Sequence, residues 1–335
     1  MATKDIIVIG SSAGGVDALC KLSAGLPADL PATVFVAQHL SPHAKSVLPQ
    51  LLDRSGPLRA LVPEDGQAFE RGCIYVAPPD HHLIVRPGKV LVRRGPVENR
   101  TRPAVNALFR SAALSYGGRV TGIVLTGLLD DGTDGLIAIK AAGGTSLVQD
   151  PDEAEWPSMP RNAVRRDHVD RVARVADLGV ILAKLAREEA GPSIPLPEAY
   201  STEDLIAAQE FAVTEPEIVT PGEASHFSCP DCGGVLNQIE TGNEQRFRCQ
   251  VGHAFTPLGL VDAQNGELER ALSVAVRTHR DRIRLFRQMA DNAEKRGMPH
   301  AVTRWTEAAT DSEKMIEVLD AATTALFKPP TDGVG

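Results

Sequence analysis

The stretch DIIVIGSSAGG (residues 5–15) decides the fold of this 335-residue chain. Its first half is a short apolar run rich in β-branched residues, which is typical of a fully buried strand. The loop SSAGG follows, and a helical pattern then runs from Val16 to about Leu26. A buried strand that turns through a glycine-rich loop into a helix is a typical opening unit of an α/β sheet.

Apolar strand patterns alternate with helical patterns as far as residue 190. The strand patterns after the first are ATVFVAQHL (32–40), CIYVAPPD (73–80), VTGIVLTGL (120–128) and TSLVQD (145–150). HLIVR (82–86) and KVLVRR (89–94) flank Pro87-Gly88 and predict a hairpin. The alternation predicts a doubly wound, mostly parallel sheet with helices on both faces.

Composition changes divide the rest of the chain. Residues 191–225 hold five prolines and an acidic run, and we expect a linker with one short helix near 202–211. Two long helical patterns, separated by Arg296-Gly297-Met298-Pro299, predict an αα-hairpin. The predicted regions are an α/β domain (1–190), the linker (191–225), a small Cys/His module (226–256) and the hairpin (257–328).

Charge and hydropathy exclude two classes of protein. The net charge of −8 argues against general nucleic-acid binding, which needs a basic surface. No run approaches the roughly 18 apolar residues of a membrane span, so we expect no membrane insertion. The N-terminus reads as the start of a strand and not as a signal peptide, which predicts a cytoplasmic protein.

Three polar residues follow three of the predicted strands. Ser12 follows the first strand, His39 the second, and Asp131 the strand at 120–128. Functional sites of open parallel sheets lie beyond the carboxyl ends of the strands. A nucleophile, a base and a carboxylate converging there suggest a hydrolytic triad, which is known in several chain orders. The N–H groups beside Ser12, at Ala13 and Gly14, are candidates for stabilising an oxyanion.

Other interpretations of these residues stay open. SSAGG could cradle a phosphate of a nucleotide, although it matches neither common phosphate-loop pattern. Ser12 could cap the helix that follows it, and Asp131 could cap a helix starting near Gly132. Asp130 is a rival for the acidic role.

Residues 5–190 resemble the CheB methylesterase domain. The matching stretches are IGSSAGG, AQHLSPH, IYVAPPDHHL, GPVENRTRPAVNALFRSAA, TGLLDDGTDGL and SMPRNAV. The resemblance implies a doubly wound α/β fold and a triad of Ser12, His39 and Asp131 that needs no cofactor. It also implies hydrolysis of glutamyl methyl esters on chemoreceptor-like proteins, with methanol release, and deamidation of receptor glutamines. The expected substrate partner is therefore a methylated receptor.

The chain departs from the family pattern around the site. Ala13 stands where the family often has Thr, and Leu128-Leu129-Asp130 replaces a common Met-Gly-x. We expect Leu128 near the oxyanion, and Arg100 and Arg102, with Asp80, beside the site. Typical family members carry an N-terminal receiver domain, whereas only four residues precede the first strand here, so regulation is expected to differ.

The Cys/His module has metal-ligand spacing. The pattern is Cys229-x2-Cys232-x16-Cys249-x3-His253. Three thiolates and an imidazole suit tetrahedral Zn²⁺ with no open position, which predicts a structural, zinc-ribbon-like site. Reduced cysteines without a metal are the alternative.

The hairpin has two interpretations. It could dock as a covering pair of helices, or it could bind a signalling partner or a second copy of the chain. The second interpretation supports an alternative function, a weakly catalytic or non-catalytic scaffold acting through the zinc module and the hairpin.

Overall fold

The computed structural model describes residues 2–43, 46–167, 169–209, 221–241 and 244–326. Residues 210–220, 242–243 and 327–328 of the predicted linker, module and hairpin lie outside the described residues. One compact unit ends at Leu260 and a second begins at Val261. The division into four regions stays a prediction.

The first unit is built on a seven-stranded sheet in which every neighbouring pair is parallel. Its strands are β1 (Ile6–Ser11), β2 (Thr33–Gln38), β3 (Arg59–Leu61), β4 (Cys73–Val76), β7 (Val120–Val124), β8 (Thr145–Gln149) and β9 (Arg171–Ala173). The predicted parallel sheet is confirmed. The three-residue edge strands β3 and β9 were not predicted from the sequence, because strands this short show no hydrophobic period.

Apolar residues alternate between the two faces of the sheet, as the period of a strand requires. On β1, Ile6 and Val8 join one buried cluster, whereas Ile7 and Ile9 join the other. The first cluster packs under α3 (Val105–Tyr116), α4 (Thr133–Ala141) and α5 (Ser158–Asp167). The second packs under α1 (Gly15–Ala24), α2 (Leu48–Ser55) and α6 (Val175–Leu185).

The strand order is β3-β4-β2-β1-β7-β8-β9. The chain therefore builds outward from β1 in one direction and from β7 in the other. The point between β1 and β7 is the topological switch point, where crevices form in sheets of this kind.

Two antiparallel sheets complete the unit. The predicted hairpin is confirmed as β5 (His82–Arg86) paired with β6 (Lys89–Arg93). A four-stranded sheet carries the cysteines, and its strands are β10 (Glu223–Ser228), β11 (Val235–Thr241), β12 (Glu244–Cys249) and β13 (Ala254–Phe255). The helix expected near 202–211 is α7 (Glu198–Ala208).

The second unit contains the predicted helical hairpin. Helix α8 runs from Pro257 to Lys295, and α9 runs from Pro299 to Leu326. Phe286 on α8 stacks on Trp305 of α9, with ring centroids 5.8 Å apart. In the described part of the chain, no helix combines the length and the apolar character that crossing a lipid bilayer requires.

Candidate active site and candidate metal centre

Ser12, His39 and Asp131 meet at the carboxyl edge of the parallel sheet. Ser12 and His39 directly follow β1 and β2, and Asp131 lies in the loop after β7. Because β1 and β7 flank the switch point, the loops that follow them face one crevice. The structure thus brings together the three residues that the sequence predicted.

The three side chains form a continuous hydrogen-bonded row. The His39 Nδ1 atom lies 3.2 Å from Ser12 Oγ, and His39 Nε2 lies 2.8 Å from Asp131 Oδ2. Asp131 Oδ2 also accepts from the Val105 N–H, so it acts as an acceptor and His39 Nε2 carries the hydrogen. Nδ1 is then the acceptor that faces the Ser12 hydroxyl, which is the arrangement that a general base needs.

Asp131 is buried among hydrogen-bond donors. Its carboxylate accepts from the backbone N–H groups of Val105, Asn106 and Gly132, and from Nδ2 of Asn99 at 3.2 Å. Val105 and Asn106 form the first turn of α3, where free N–H groups favour a negative charge. Asp131 therefore does accept hydrogen bonds from the start of a helix, as the capping interpretation proposed. That helix is α3 and not the one after Gly132.

Asp130, the rival acid, has different partners. It accepts from the hydroxyl of Thr256 at 2.8 Å and pairs with Arg166 at 3.2 Å. Burial raises the pKa of Asp130 above its ordinary value, although Thr256 and Arg166 oppose the effect. The structure places Asp131, and not Asp130, against His39.

The Ser12 loop is held from several sides. The Ser12 N–H donates to the Thr126 carbonyl at 3.0 Å, and Gln38 Nε2 donates to the Ser12 carbonyl at 2.8 Å. A side chain at Gly127 would place its Cβ 2.8 Å from the Ser12 Cβ, so this position requires glycine. Helix α1 begins after Gly14, and the Ser12 hydroxyl faces His39 instead of capping it.

The predicted oxyanion neighbours lie around this loop. Ala13 directly follows Ser12, and Gly14 has a left-handed backbone with φ of 72°. Leu128 follows Gly127 and is 51% exposed. Leu129, where the family often has Gly, also adopts a positive φ of 60°. A branched residue is strained in that conformation, and hydrogen bonds from Ser158 and Asn162 to the Leu129 carbonyl hold it.

The two predicted arginine neighbours differ. Arg102 binds Asp80 through Nε and Nη2, at 2.9 and 2.6 Å, and donates to the Gly95 carbonyl. Burial works against a charged Asp80, but Arg102 and Arg94 outweigh it and lower the pKa of that carboxyl. Arg102 is therefore held in an ion pair with Asp80 that links two loops. Arg100 is exposed and has a left-handed backbone.

Several buried polar residues near the site had no expectation from the sequence. Thr101 Oγ1 lies 3.3 Å from His39 Nε2, and Asn99 and Thr256 contact the two aspartates. Asn99 has a left-handed φ of 50°, which Asn tolerates better than most residues. For Asn99 and Thr101 the signal in the sequence was that GPVENRTRPAVN belongs to a matching stretch, whereas Thr256 lies outside these stretches.

A buried cluster of charges joins the antiparallel sheet to the α/β domain; we call it the charge cluster. Its members are Glu98, Arg110 on α3, Glu203 on α7, and Arg246 and Arg248 on β12. Burial alone would raise the pKa of Glu98, but Arg110 and Arg248 hold it far below its ordinary value. Beside the cluster, burial raises the pKa of Asp134 to about 6, against the opposing charges of Arg166 and Arg246.

The four predicted metal ligands converge. The ligand atoms of Cys229, Cys232, Cys249 and His253 all lie within 4.8 Å of one another. His253 Nδ1 is 3.6 Å from the sulfurs of Cys229 and Cys249, and the Cys232 and Cys249 sulfurs are also 3.6 Å apart. Tetrahedral zinc with bonds of about 2.3 Å to sulfur separates its ligand atoms by roughly 3.5–3.8 Å. The donor set and its spacing therefore fit Zn²⁺.

Known proteins resemble the α/β part of the chain. The family model described as CheB methylesterase matches residues 7–182, about half of the chain. The chain belongs to the CheB methylesterase family. The catalytic domain of the Thermotoga maritima CheB methylesterase superposes with a TM-score of 0.53 at 32% identity, covering 55% of this chain and all of that one.

Named relatives of this CheB family member share the matched region. A Methanosarcina mazei protein called protein-glutamate methylesterase/protein-glutamine glutaminase 2 is 36% identical over 56% of this chain and 53% of its own length. A Leptospira interrogans protein with the putative form of that name is 32% identical over 54% of this chain and 94% of its own. The chain thus spans about half the length of the first of these relatives.

Proposed function

We propose that this protein is a serine hydrolase that removes methyl esters from glutamate side chains of chemoreceptor-like proteins. The observation that carries the proposal is the row Ser12–His39–Asp131 at the switch point, with contacts of 3.2 and 2.8 Å. The names of the relatives, protein-glutamate methylesterase/protein-glutamine glutaminase, support the substrate class and add receptor glutamines as second substrates.

In the proposed reaction Ser12 Oγ attacks the ester carbonyl while His39 Nδ1 takes its proton. The Nε2–H of the imidazolium stays bonded to Asp131, whose carboxylate stabilises the positive charge. His39 then returns the proton to the leaving methoxide, which departs as methanol. Water, deprotonated by the same imidazole, releases the glutamate from Ser12. A glutamine substrate would release ammonia in place of methanol.

The oxyanion would be stabilised by backbone donors beside Ser12. The Ser12 N–H is already bonded to the Thr126 carbonyl, so it is not the donor. We assign the role to the N–H of Ala13, with the N–H of Leu128 as the second candidate. Ala13 directly follows Ser12, and Leu128 follows Gly127, which lies against the Ser12 side chain. Backbone donors fixed before reaction need no reorganisation when the charge develops.

Cys229, Cys232, Cys249 and His253 would hold a structural zinc ion. Two tight turns present the ligands, since Gly233 N–H bonds the Cys229 carbonyl and Gly252 N–H bonds the Cys249 carbonyl. Four protein ligands leave no position for substrate, so the ion would supply stability and not chemistry. Zinc content of the purified chain, measured by mass spectrometry, tests this with Cys249→Ser as the variant that loses the ion.

The test of the activity is methanol release from receptor cytoplasmic domains that a methyltransferase has first methylated. Wild-type protein should release methanol, and Ser12→Ala should reduce the rate by at least about 1,000-fold. Ser55→Ala, which removes a hydroxyl at the end of α2, is the matched control and should keep the full rate. A wild-type protein that binds these receptors without releasing methanol would favour the scaffold function instead.

A further inference from the structure

A short piece of chain connects the candidate metal centre to Asp131, the partner of His39, and to the neighbouring Asp130. His253 is followed by β13 and then by Thr256. The Thr256 hydroxyl donates to Asp130 Oδ1 at 2.8 Å, and its N–H donates to Asn99 Oδ1 at 2.9 Å. Asn99 in turn donates from Nδ2 to Asp131 Oδ1 at 3.2 Å. Thr256, three residues beyond a metal ligand, thus contacts one aspartate directly and the other through Asn99.

A second connection runs through the backbone of β13. The Asn99 N–H donates to the Ala254 carbonyl at 2.7 Å, and the Ala254 N–H donates to the Val97 carbonyl at 3.2 Å. This pairing fixes the turn in which Glu98 and Thr101 exchange backbone hydrogen bonds. The Thr101 hydroxyl of that turn lies 3.3 Å from His39 Nε2.

The metal ligands bracket the part of the chain that makes these contacts. Cys249 N–H donates to the His253 carbonyl at 3.0 Å and closes the turn between β12 and β13. Arg248, just before Cys249, donates to the Gly252 carbonyl at 2.7 Å and to Glu98 at 2.9 Å. A metal that joins Cys249 to His253 would therefore fix Arg248 on one side and β13 on the other.

The antiparallel sheet is small. It buries Leu236, Phe247 and Phe255 together with Arg248, and a module of this size needs a staple to keep a defined structure. If the turn opened, Glu98 and Glu203 would lose arginine partners while still buried, which is costly. Loss of the metal should therefore weaken the hydrogen bonds that Asn99 and Thr256 make.

We propose that the module of three cysteines and one histidine is a positioning element of the active site. With its metal bound, it holds Thr256 and Asn99 against Asp130 and Asp131, and so keeps His39 aligned with Ser12. Both are positioning residues, because they act through the aspartates and not on the ester. The inference rests on the proposed function only in taking His39 as the base and Asp131 as its partner.

The test uses the full chain with zinc bound and two readouts. One is the second-order rate at which a fluorophosphonate probe labels Ser12, and the other is the set of ring-nitrogen NMR resonances of His39. Thr256→Val removes the hydroxyl, which donates to Asp130 and accepts from the Gly259 N–H, but keeps the N–H that donates to Asn99. We expect the labelling rate to fall about tenfold with the zinc content unchanged, because small misplacements of catalytic groups are costly.

Two matched variants sharpen this result. Thr256→Ser restores the donor to Asp130 and should label within about twofold of wild type, since the hydrogen bond is retained. Thr278→Val removes a hydroxyl on α8 that donates to the Val274 carbonyl, and it should leave both readouts unchanged. A purely structural role for Thr256 would instead lower zinc content or folding stability without changing the His39 resonances of the folded protein.

The metal is tested on the wild-type chain. Removal of zinc with EDTA should lower the labelling rate by about tenfold or more and shift the His39 resonances, and added Zn²⁺ should restore both. Metal-free protein and Thr256→Val that label at the wild-type rate, with unshifted His39 resonances, would overturn the proposal.

The two readouts do not depend on the substrate. A protein that labels rapidly at Ser12 yet releases no methanol from methylated receptors would refute the proposed substrate and leave the positioning proposal standing. A protein that releases methanol, but whose Ser12 labelling rate changes neither on zinc removal nor in Thr256→Val, would refute the positioning proposal and leave the proposed substrate standing.

Discussion

The two sheets of the first unit are stabilised in opposite ways. The parallel sheet buries aliphatic and aromatic side chains on both faces, with Phe35 and Phe109 fully buried. The antiparallel sheet β10–β13 buries fewer such side chains, Phe247 and Phe255 among them, and it also buries Arg248 and lies beside four candidate metal ligands. Apolar burial does not depend on metal or on small changes of pH, whereas ion pairs and metal ligands do. The candidate site residues follow strands of the first sheet, and Thr256, which is proposed to position them, follows the last strand of the second.

Removal of the metal should cause the largest difference in stability between the two sheets. Structural zinc contributes roughly 10 kcal/mol or more to a small module. With EDTA, amide hydrogen exchange in β10–β12 should accelerate by a factor of about 100 or more, while β1, β2 and β7 keep their protection. Added Zn²⁺ is the control. Equal acceleration in both sheets would mean that they unfold as one cooperative unit.

Breaking the charge cluster should have the next largest effect. Glu98→Ala leaves Arg110 and Arg248 buried without this carboxylate, and we expect a loss of about 3–5 kcal/mol in the free energy of unfolding. Glu313→Ala breaks an exposed pair with Arg287 in the hairpin and should cost less than about 1 kcal/mol. Urea unfolding measures both. Equal losses would show that burial does not strengthen the cluster.

Asp134 should make the stability depend on pH. Its folded pKa of about 6 exceeds the ordinary value of 3.8 because the side chain is buried. The folded state then holds a proton that the unfolded chain releases, so stability falls as the pH rises from about 4 to about 6. Asp134→Asn removes this cost and should be more stable than wild type by up to about 3 kcal/mol at neutral pH.

The measurement is the free energy of unfolding of both proteins at about pH 4 and at neutral pH. The advantage of Asp134→Asn should be smallest at the lower pH, where Asp134 is neutral in the folded state and about half protonated in the unfolded chain. An advantage that is independent of pH would contradict the raised pKa.

Much of the fold and of the site was accessible from the sequence. Buried parallel strands read as continuous apolar runs, so β1, β2 and β7 and the residues that follow them could be placed. The strand ends then brought Ser12, His39 and Asp131 to one edge. The candidate metal ligands were equally visible, because thiol spacing is a local pattern.

The supports of the site were not accessible in the same way. Arg246 and Arg248 alternate with other residues along a strand of a small sheet, a pattern that usually means exposure to solvent. Their burial depends on Glu98 and Glu203, which lie far away in the sequence. Asn99 acts through a left-handed backbone and a single amide, and neither leaves a periodic signal.

The separation of 150 residues between Glu98 and Arg248 has a consequence for biosynthesis. At roughly 5–20 residues per second, a ribosome needs about 8–30 s to add that length of chain. Once residue 131 has been added, the nascent chain contains Ser12, His39 and Asp131, but the partner that arrives with β12 has not been made. Each newly translated molecule therefore passes through a period in which the proposed nucleophile and base exist before the residues proposed to position them.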